Sequence, residues 1–239
     1  MSRLHYVGMD VHKKMIVYCV KTQGGLLRDE GKMPATRECL DAFIAQRKQP
    51  WVGAMEATPF TGWIYDHLEP HAREIKVAHP LMLRAITCSK KKNDRIDANT
   101  IADLLRCDLL PECYMMPADQ RDLRRVLRYR NLLVSNAVRM HNKTAGLLME
   151  VGAEYNKKRL KGKRYFATLL DQVENVPGSV IEMLRMSRGA YEMFQAGQKK
   201  IVKALKTHSA LRDRVELLMT IDAVGEITAL SWALEIGDP

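Results

Sequence analysis

The stretch Tyr6-Val7-Gly8-Met9-Asp10 is a short apolar run that ends in a carboxylate. A second run, Met15-Ile16-Val17-Tyr18-Cys19-Val20, is rich in β-branched and aromatic residues, and Gly24-Gly25 follows it before Leu26-Leu27. Such runs, separated by turn residues, predict β-strands joined by hairpins. The chain is therefore expected to open with antiparallel strands that begin near Tyr6.

Strand and helix signals alternate from there to about residue 110. The predicted strands are Trp51–Met55, which leads into Glu56, and Glu74–Ala78, and the predicted helices are Thr36–Arg47, Pro59–Leu68, Leu81–Cys88 and Asp94–Cys107. The order β-β-β-α-β-α-β-α predicts an α/β layer built on a mixed sheet.

The middle of the chain carries no strand signal. Apolar residues between Leu123 and Val151 follow a 3/4 spacing, which predicts a long helix with a coiled-coil-like seam. Further helical stretches cover Tyr165–Val176 and Val180–Leu218, the latter with Gly189 and Gly197 as its expected weak points. This part is therefore predicted to be an all-α arm. The predicted domains are 1–110, the α/β domain; 111–216, the basic helical arm; and 217–239, the start of a further domain.

Charge is distributed unevenly along the 239 residues. Lys and Arg number 38 against 28 Asp and Glu, for a net charge of +10, and residues 111–216 alone hold 21 basic and 11 acidic side chains. Such an excess favours a polyanion partner, most often nucleic acid, with a solvated basic surface as an equal alternative. Apolar residues make up 46%, too many for a disordered chain, yet no run approaches the ~20 of a membrane span. The five cysteines show no paired spacing, which indicates a cytoplasmic protein without a disulfide framework.

Four acidic residues stand where an α/β sheet places catalytic groups. Asp10 and Glu56 each end a predicted strand, and strand ends meet at one edge of the sheet. Asp94 and Asp97 lie three residues apart at the start of a predicted helix, so both carboxylates face the same side. Four such oxygen donors would suit one or two Mg²⁺ ions, and a two-ion site supports phosphoryl transfer.

Each acid also has a purely structural interpretation. An Asp that follows a strand is usually a turn residue, and Asp94 would serve as a helix N-cap. The helix dipole favours both Asp94 and Asp97 in a first turn without any metal. The joint pattern, rather than any single residue, favours a metal site.

The surroundings of the four acids resemble one known family. They stand in the stretches Val7-Gly8-Met9-Asp10-Val11-His12-Lys13, Met55-Glu56-Ala57-Thr58 and Lys92-Asn93-Asp94-Arg95-Ile96-Asp97-Ala98. In order, context and spacing these stretches are similar to those of the DEDD transposases of the insertion-sequence-110 family, with its insertion-sequence-1111 group and the pilin-inverting recombinases. The similarity continues through the helical arm to residues 218–229.

This resemblance implies a RuvC-like, RNase H-like fold for residues 1–110. It also implies that Asp10, Glu56, Asp94 and Asp97 bind Mg²⁺, with Mn²⁺ as a substitute, and cleave DNA for strand transfer in an insertion sequence. DNA at the element ends and target is then the expected substrate. Family members resemble bridge-RNA-guided recombinases, which adds a structured non-coding RNA as an expected partner. Self-association through the arm, no membrane partner and a location near the nucleoid of a bacterial or archaeal cell complete the expectation.

In this family a further domain supplies a serine nucleophile. The stretch Leu234-Glu235-Ile236-Gly237-Asp238-Pro239 resembles the opening of that domain. Ser231 lies too early and in a predicted helix, so we expect the sequence to stop before the place of the serine. The sequence is therefore compatible both with DNA cleavage by this chain and with a chain that binds DNA without catalysis.

A basic loop between two predicted helices is the first candidate for contact with nucleic acid. Residues 157–164 hold six basic side chains in eight around Gly162, which suits a phosphate backbone. Tyr155, Tyr165 and Phe166 flank the loop and are predicted to stack on bases. A flexible solvated loop is the alternative.

Further basic residues lie beside the acids and on the first long helix. Lys90 to Lys92 either hold a phosphate near the metal or offset the acidic charge, and four arginines lie mostly on one flank of the helix that begins near Leu123. The predicted contact residues are Lys90, Lys91, Lys92, Arg121, Arg124, Arg125, Arg128, Lys157, Lys158, Arg159, Lys161, Lys163 and Arg164.

Three functions are compatible with these features. The first is a transposase or site-specific recombinase that acts on DNA with Mg²⁺. The second is a catalytically silent nucleic-acid-binding fragment that dimerises through the arm or regulates a full-length relative. The third is a RuvC-like junction nuclease, since four acids would suffice for hydrolysis.

Overall fold

The computed structural model describes residues 4–86 and 94–236, with only the backbone of residues 94–96. The chain divides into two compact units, residues 1–118 and 119–239. The first contains a five-stranded sheet with helices, and the second contains only helices among its described residues. This confirms the predicted α/β layer followed by an all-α part. No helix in the described ranges combines the length and apolar character needed to cross a membrane.

The sheet of the first unit is mixed, as predicted. Its strands are β1 His5–Val11, β2 Met15–Thr22, β3 Leu27–Pro34, β4 Trp51–Glu56 and β5 Glu74–Ala78. They lie in the order β3-β2-β1-β4-β5. The first three strands form antiparallel pairs, whereas β4 pairs in parallel with both β1 and β5. The central strand β1 thus joins the two halves of the sheet.

Helices cover both faces of this sheet. Alternate residues of a strand face opposite sides, and one side of the sheet packs its apolar residues, such as Met9 and Trp51, against α1 (Arg37–Ala45) and α2 (Thr61–Leu68). The other side faces α3 (Pro80–Ile86) and α4 (Asp94–Arg106).

Gly8 of β1 lets α4 lie almost directly on the sheet. A Cβ at residue 8 would be 2.1 Å from the carbonyl oxygen of Ala98 and 2.4 Å from the backbone nitrogen of Ala102. Ala98 and Ala102 are themselves fully buried. Since no side chain fits between these backbones, glycine at position 8 sets the position of α4.

The second unit is built on two long helices. Its helices are α5 (Ala118–Glu150), α6 (Lys163–Gln172), α7 (Gly178–Lys206), α8 (Arg212–Leu218) and α9 (Glu226–Glu235). One core joins the first half of α5 to the end of α7, α8 and α9, and a second joins the end of α5 to α6 and the start of α7. Helices α5 and α7 are therefore antiparallel, and the 33 residues of α5 extend over roughly 50 Å at 1.5 Å per residue.

One feature of the second unit differs from the sequence-based expectation. The predicted helix Val180–Leu218 is interrupted at Thr207, whose hydroxyl donates to the Lys203 carbonyl at 3.0 Å, and not at its glycines. A Cβ at Gly197 would lie 3.0 Å from Cδ1 of Leu133, so this glycine accommodates the neighbouring helix. Helix α9 packs in the core with α5 and α7. The domain limits at 110 and 216 stay predictions.

Candidate functional site

Two of the predicted acids, Asp10 and Glu56, lie at the ends of neighbouring parallel strands. β1 and β4 are paired so that the residues just before the two acids stand opposite each other. Strand alternation puts Asp10 on the face of Gly8 and Glu56 on the face of Ala54, which is the face that α4 covers. Both carboxylates therefore belong to one edge and one side of the sheet.

Asp97 reaches the same corner from α4. It lies in the first turn of the helix, just before the alanine that contacts Gly8. Asp97 and Glu56 line one cavity of about 70 Å³, together with Arg84. The fold thus brings three of the four predicted acids to one corner of the first unit, from β1, β4 and α4.

The fourth acid is only partly placed. Asp94 is the first residue of α4, so its three-residue spacing from Asp97 is helical, as predicted. The side chain of Asp94 lies outside the described residues, and so do Lys90, Lys91 and Lys92 entirely. Their predicted roles stay predictions.

The donor atoms at this corner suit a hard cation, but the described side chains do not complete a site. Asp10 is 8% exposed, and His12 Nε2 lies 3.1 Å from Asp10 Oδ2. Carboxylate oxygens are the ligands that Mg²⁺ prefers. Within the described side chains, however, no group of three or more His, Cys, Asp or Glu residues is arranged to hold a metal ion. Metal binding by the acids therefore stays a prediction.

A buried lysine, which the sequence reasoning did not single out, ties α4 to the sheet. Lys21 of β2 is 7% exposed, and its Nζ donates to Asn99 Oδ1 and, at 2.5 Å, to Asp103 Oδ2. Arg106 Nε donates to the other oxygen of Asp103 at 2.7 Å. The signal in the sequence was a lysine that directly follows the apolar strand run, with Asn99 and Asp103 one helical turn apart.

These hydrogen bonds change the acidity of Asp103. Burial by itself would raise the pKa of this carboxyl, but the hydrogen bonds from Lys21 and Arg106 outweigh it, so that the pKa is lower than its ordinary value. Asp103 therefore stays ionised and serves as an anchor for α4, which in turn carries Asp97.

The basic loop is an ordered turn at one end of the second unit. Its six basic side chains are all exposed. Asn156 Oδ1 accepts hydrogen bonds from the backbone nitrogens of Lys158 and Arg159 at 3.0 and 3.2 Å. The Arg159 guanidinium lies 4.6 Å from the centre of the Tyr165 ring. The loop, with the short helical turn Arg159–Lys161, is called the tip loop below and comprises residues 157–164.

Arg188 of α7 holds the tip loop from the inside. It is 9% exposed, and it donates to the carbonyl oxygens of Leu160 at 2.6 Å and Lys161 at 3.2 Å. Its guanidinium also lies within 5.4 Å of the ring centres of Phe166 and Tyr191. Phe166 is buried in this core, so the prediction that it stacks on bases is wrong.

The predicted arginines of α5 differ in their partners. Arg128 donates from two nitrogens to both carboxylate oxygens of Glu235, at 2.9 and 2.6 Å, and this pair raises the pKa of Arg128 and lowers that of Glu235. Arg125 pairs with Asp122 at 2.5 Å. Of the four predicted arginines of this helix, which are Arg121, Arg124, Arg125 and Arg128, the last two are therefore engaged in ion pairs within the second unit.

Comparison with known proteins places the chain among transposases. The sequence model of the insertion-sequence-110 DEDD family, described as a transposase, matches residues 7–152. The transposase for insertion sequence element IS1328 of Yersinia enterocolitica is 26% identical over 239 residues, which cover the whole chain and 70% of that relative. The y4qE protein of Sinorhizobium fredii is 23% identical, over 98% of the chain and 58% of its own length. The family match covers more than half of the chain and includes Asp10, Glu56, Asp94 and Asp97. The chain therefore belongs to the DEDD transposase family of insertion-sequence-110 type.

Proposed function

We propose that this chain forms the metal-dependent DNA-cleaving part of an insertion-sequence transposase. Asp10, Glu56, Asp94 and Asp97 hold Mg²⁺, for which Mn²⁺ can substitute, and the basic second unit holds nucleic acid. The chain covers 70% and 58% of the two relatives above, so the complete reaction is proposed for the whole transposase.

One observation carries this proposal. Asp10 and Glu56 lie at the C-terminal ends of adjacent parallel strands, on the face that α4 covers, and Asp97 lines the same cavity as Glu56. Carboxylates that only a turn or a cap requires would have no reason to lie at the same edge and on the same side of the sheet when they come from three elements. The family match to residues 7–152 adds support, because it spans all four acids.

Other residues at this corner position the acids and contact the substrate. The hydrogen bond from His12 orients Asp10, and the contact of Gly8 with α4 sets the height of Asp97 above the sheet. Arg84, which lines the same cavity, supplies a cation for a substrate phosphate. When bound, the metal stabilises charge on the attacking and leaving oxygens of phosphoryl transfer.

DNA at the element ends and target is the proposed substrate, and a structured non-coding RNA is the proposed guide. The tip loop suits either backbone, since six exposed cations stand on an ordered turn. Each neutralised phosphate makes binding more dependent on salt. Self-association through the helical unit belongs to the same proposal.

A second candidate function is a nucleic-acid-binding fragment without catalysis. The observation in its favour is that the described side chains include no group of three metal-ligating residues. In this case the corner would retain its shape but bind no divalent ion. A junction nuclease with the same acids is the third alternative.

Metal titration separates the first two functions. Isothermal titration with Mg²⁺ and Mn²⁺ should show binding to the chain, and the Asp10→Asn, Glu56→Gln variant should weaken it by at least about 100-fold, because even residues that only support a ligand are worth about 10- to 100-fold. Glu69→Gln with Glu154→Gln is the matched control, since it removes the same charge at exposed positions.

A nicking assay on labelled linear and branched DNA follows the titration. Nicking that depends on Asp10 and Glu56 supports the proposed function, and nicking confined to four-way junctions indicates the nuclease. Binding of DNA without metal binding or nicking would replace the proposal by the silent fragment.

A further inference from the structure

A basic pocket in the helical unit lies apart from the tip loop. Its volume is about 430 Å³, and its walls come from α5, the last part of α7 and the first turn of α9. The charged side chains that line it are Arg130, Lys199, Lys203, Lys206 and Glu226. Four cations therefore share one pocket with a single carboxylate.

Only one of these cations is neutralised by the carboxylate. Lys206 Nζ donates to Glu226 Oε1 at 2.6 Å. Neither Lys199 nor Lys203 forms an ion pair with any residue that the structure describes. Three positive side chains of the pocket thus lack a counter-charge from the described part of the chain, and their mutual repulsion would be relieved by an anion.

Arg130 adds a directional donor to this charge. Its Nη1 donates to Asn131 Oδ1 at 3.1 Å, but its Nε–H is enclosed and finds no acceptor among the described residues. A buried donor without an acceptor lowers stability. An oxyanion in the pocket would supply the acceptor and the negative charge together.

The helix dipole of α7 accounts for only two of the four cations in the pocket. Lys203 and Lys206 lie in the last turn, where cations are favoured in any helix. This explanation covers neither Lys199, one turn earlier, nor Arg130, which belongs to α5. The two helices meet closely near the pocket, where Gly197 contacts Leu133.

We propose that this pocket binds phosphodiester groups of nucleic acid, as a second contact point beside the tip loop. The inference rests on the proposed function and deepens it. Arg130 and the end of α5 at Glu150 are separated by 20 residues of helix, or roughly 30 Å. This separation is close to one turn of duplex, about 34 Å, so a nucleic-acid chain is long enough to reach both points whereas a free phosphate is not.

The test measures the salt dependence of binding by the full chain. The probes are a labelled duplex DNA of about three helical turns and single-stranded RNA of the same length. The pocket variant is Arg130→Gln, Lys199→Gln, Lys203→Gln. The matched control is Arg139→Gln, Lys143→Gln, Lys200→Gln, which removes the same charge at exposed positions outside the pocket.

The expected result is a smaller salt slope for the pocket variant alone. Each phosphate contact on duplex DNA contributes about 0.9 to the slope of log K against log salt concentration, so the slope should fall by about 2 or more. The probe whose slope changes identifies the nucleic acid in the pocket. Lys199→Gln alone, at an exposed position, should lower the slope by about 1 and serves if the triple variant does not fold.

Three results would overturn the inference in distinguishable ways. Equal slopes for the pocket variant and the wild type would remove the pocket as a contact point. Equal losses in the pocket variant and the control would show that only total charge matters. If the wild-type chain binds neither probe, the nucleic-acid part of the proposed function fails together with the pocket.

Discussion

The acidic corner of the first unit and the tip loop of the second are positioned in opposite ways. At the corner, backbone packs on backbone: Gly8 contacts main-chain atoms of α4, and strand register sets Asp10 beside Glu56. At the tip loop, one buried side chain, Arg188, holds carbonyl oxygens that lie 27 and 28 residues earlier in the chain. Main-chain packing tolerates almost no change in side-chain volume, whereas a side-chain clamp can be removed without a steric clash.

The two regions should therefore respond differently to substitution. A substitution at the corner should disturb the whole first unit, because α4 covers the central strand. A substitution at the clamp should loosen only the tip loop and the small core around it, because a separate apolar core holds the other end of the second unit.

The largest effect is expected for Gly8→Ala. The new Cβ would stand about 2.1 Å from the Ala98 carbonyl oxygen, and backbone atoms cannot yield as a flexible side chain does. We expect the first unit to lose at least about 3 kcal/mol of stability and divalent-ion binding to disappear. Thermal unfolding followed by Trp fluorescence and metal titration are the measurements.

Gly24→Ala is the matched control, because only Thr22 Oγ1 lies as near as 4.0 Å to its added Cβ. A Gly8→Ala protein with wild-type stability would show that α4 is not held by this contact.

Removal of the clamp by Arg188→Met should have the next largest effect. Methionine retains apolar volume between Phe166 and Tyr191 but leaves the carbonyls of Leu160 and Lys161 without their donor. Loss of these charge-assisted bonds should destabilise the tip by about 2–3 kcal/mol. Hydrogen exchange resolved by peptide should show faster exchange in residues 156–166 and unchanged exchange in β1 and β4.

Arg185→Met provides the control, since Arg185 is exposed and, among the described residues, pairs only with Glu182 on the same helix. If hydrogen exchange rises equally across the second unit, Arg188 does not act locally. The proposed difference between the tip loop and the acidic corner would then be wrong.

A smaller effect is expected for Lys21→Met. It removes the cation that joins β2 to Asn99 and Asp103, but Asp103 keeps Arg106 and its side chain is 39% exposed. Allowing for solvent screening, the first unit should lose about 1–2 kcal/mol. Chemical denaturation is the measurement, with Lys32→Met on the exposed side of β3 as the control. A stability gain would mean that burial of the lysine costs more than its bonds return.

The smallest effect is expected on the stability of the first unit at acidic pH. The pKa of Asp103 is lowered in the folded chain from an ordinary value of 3.8. The stabilisation is therefore complete above about pH 5 and is lost as the pH falls through 3.8 towards the folded value. The stability of wild type should fall more steeply than that of Asp103→Asn in this window. Parallel slopes in denaturation from about pH 5 to 3 would contradict the ion pair.

Several elements of the fold could be predicted from the sequence alone. The strands, their order and the start of α4 follow from apolar runs and turn residues, which are local signals. The break in the last long helix was expected at glycine, because glycine is a weak helix former in isolation. In the folded chain Gly197 instead accommodates a neighbouring helix, so the helix continues past it and ends only at Thr207. Lys21 was missed because a charged residue at the end of a strand run is usually solvated, and its partners are 78 and 82 residues away.

The sequence by itself determined the α/β layer and the helical second unit, and it predicted the four acids as a site, since period, spacing and motif are properties of neighbouring residues. Only the tertiary structure decided that Asp97 shares a cavity with Glu56, on the side of the sheet to which Asp10 also belongs. It also decided that Arg188 shapes the tip loop and that Arg130 joins three lysines of α7 in one pocket. The physical reason is that these relations depend on contacts between distant segments, which form when buried backbones and side chains pack together.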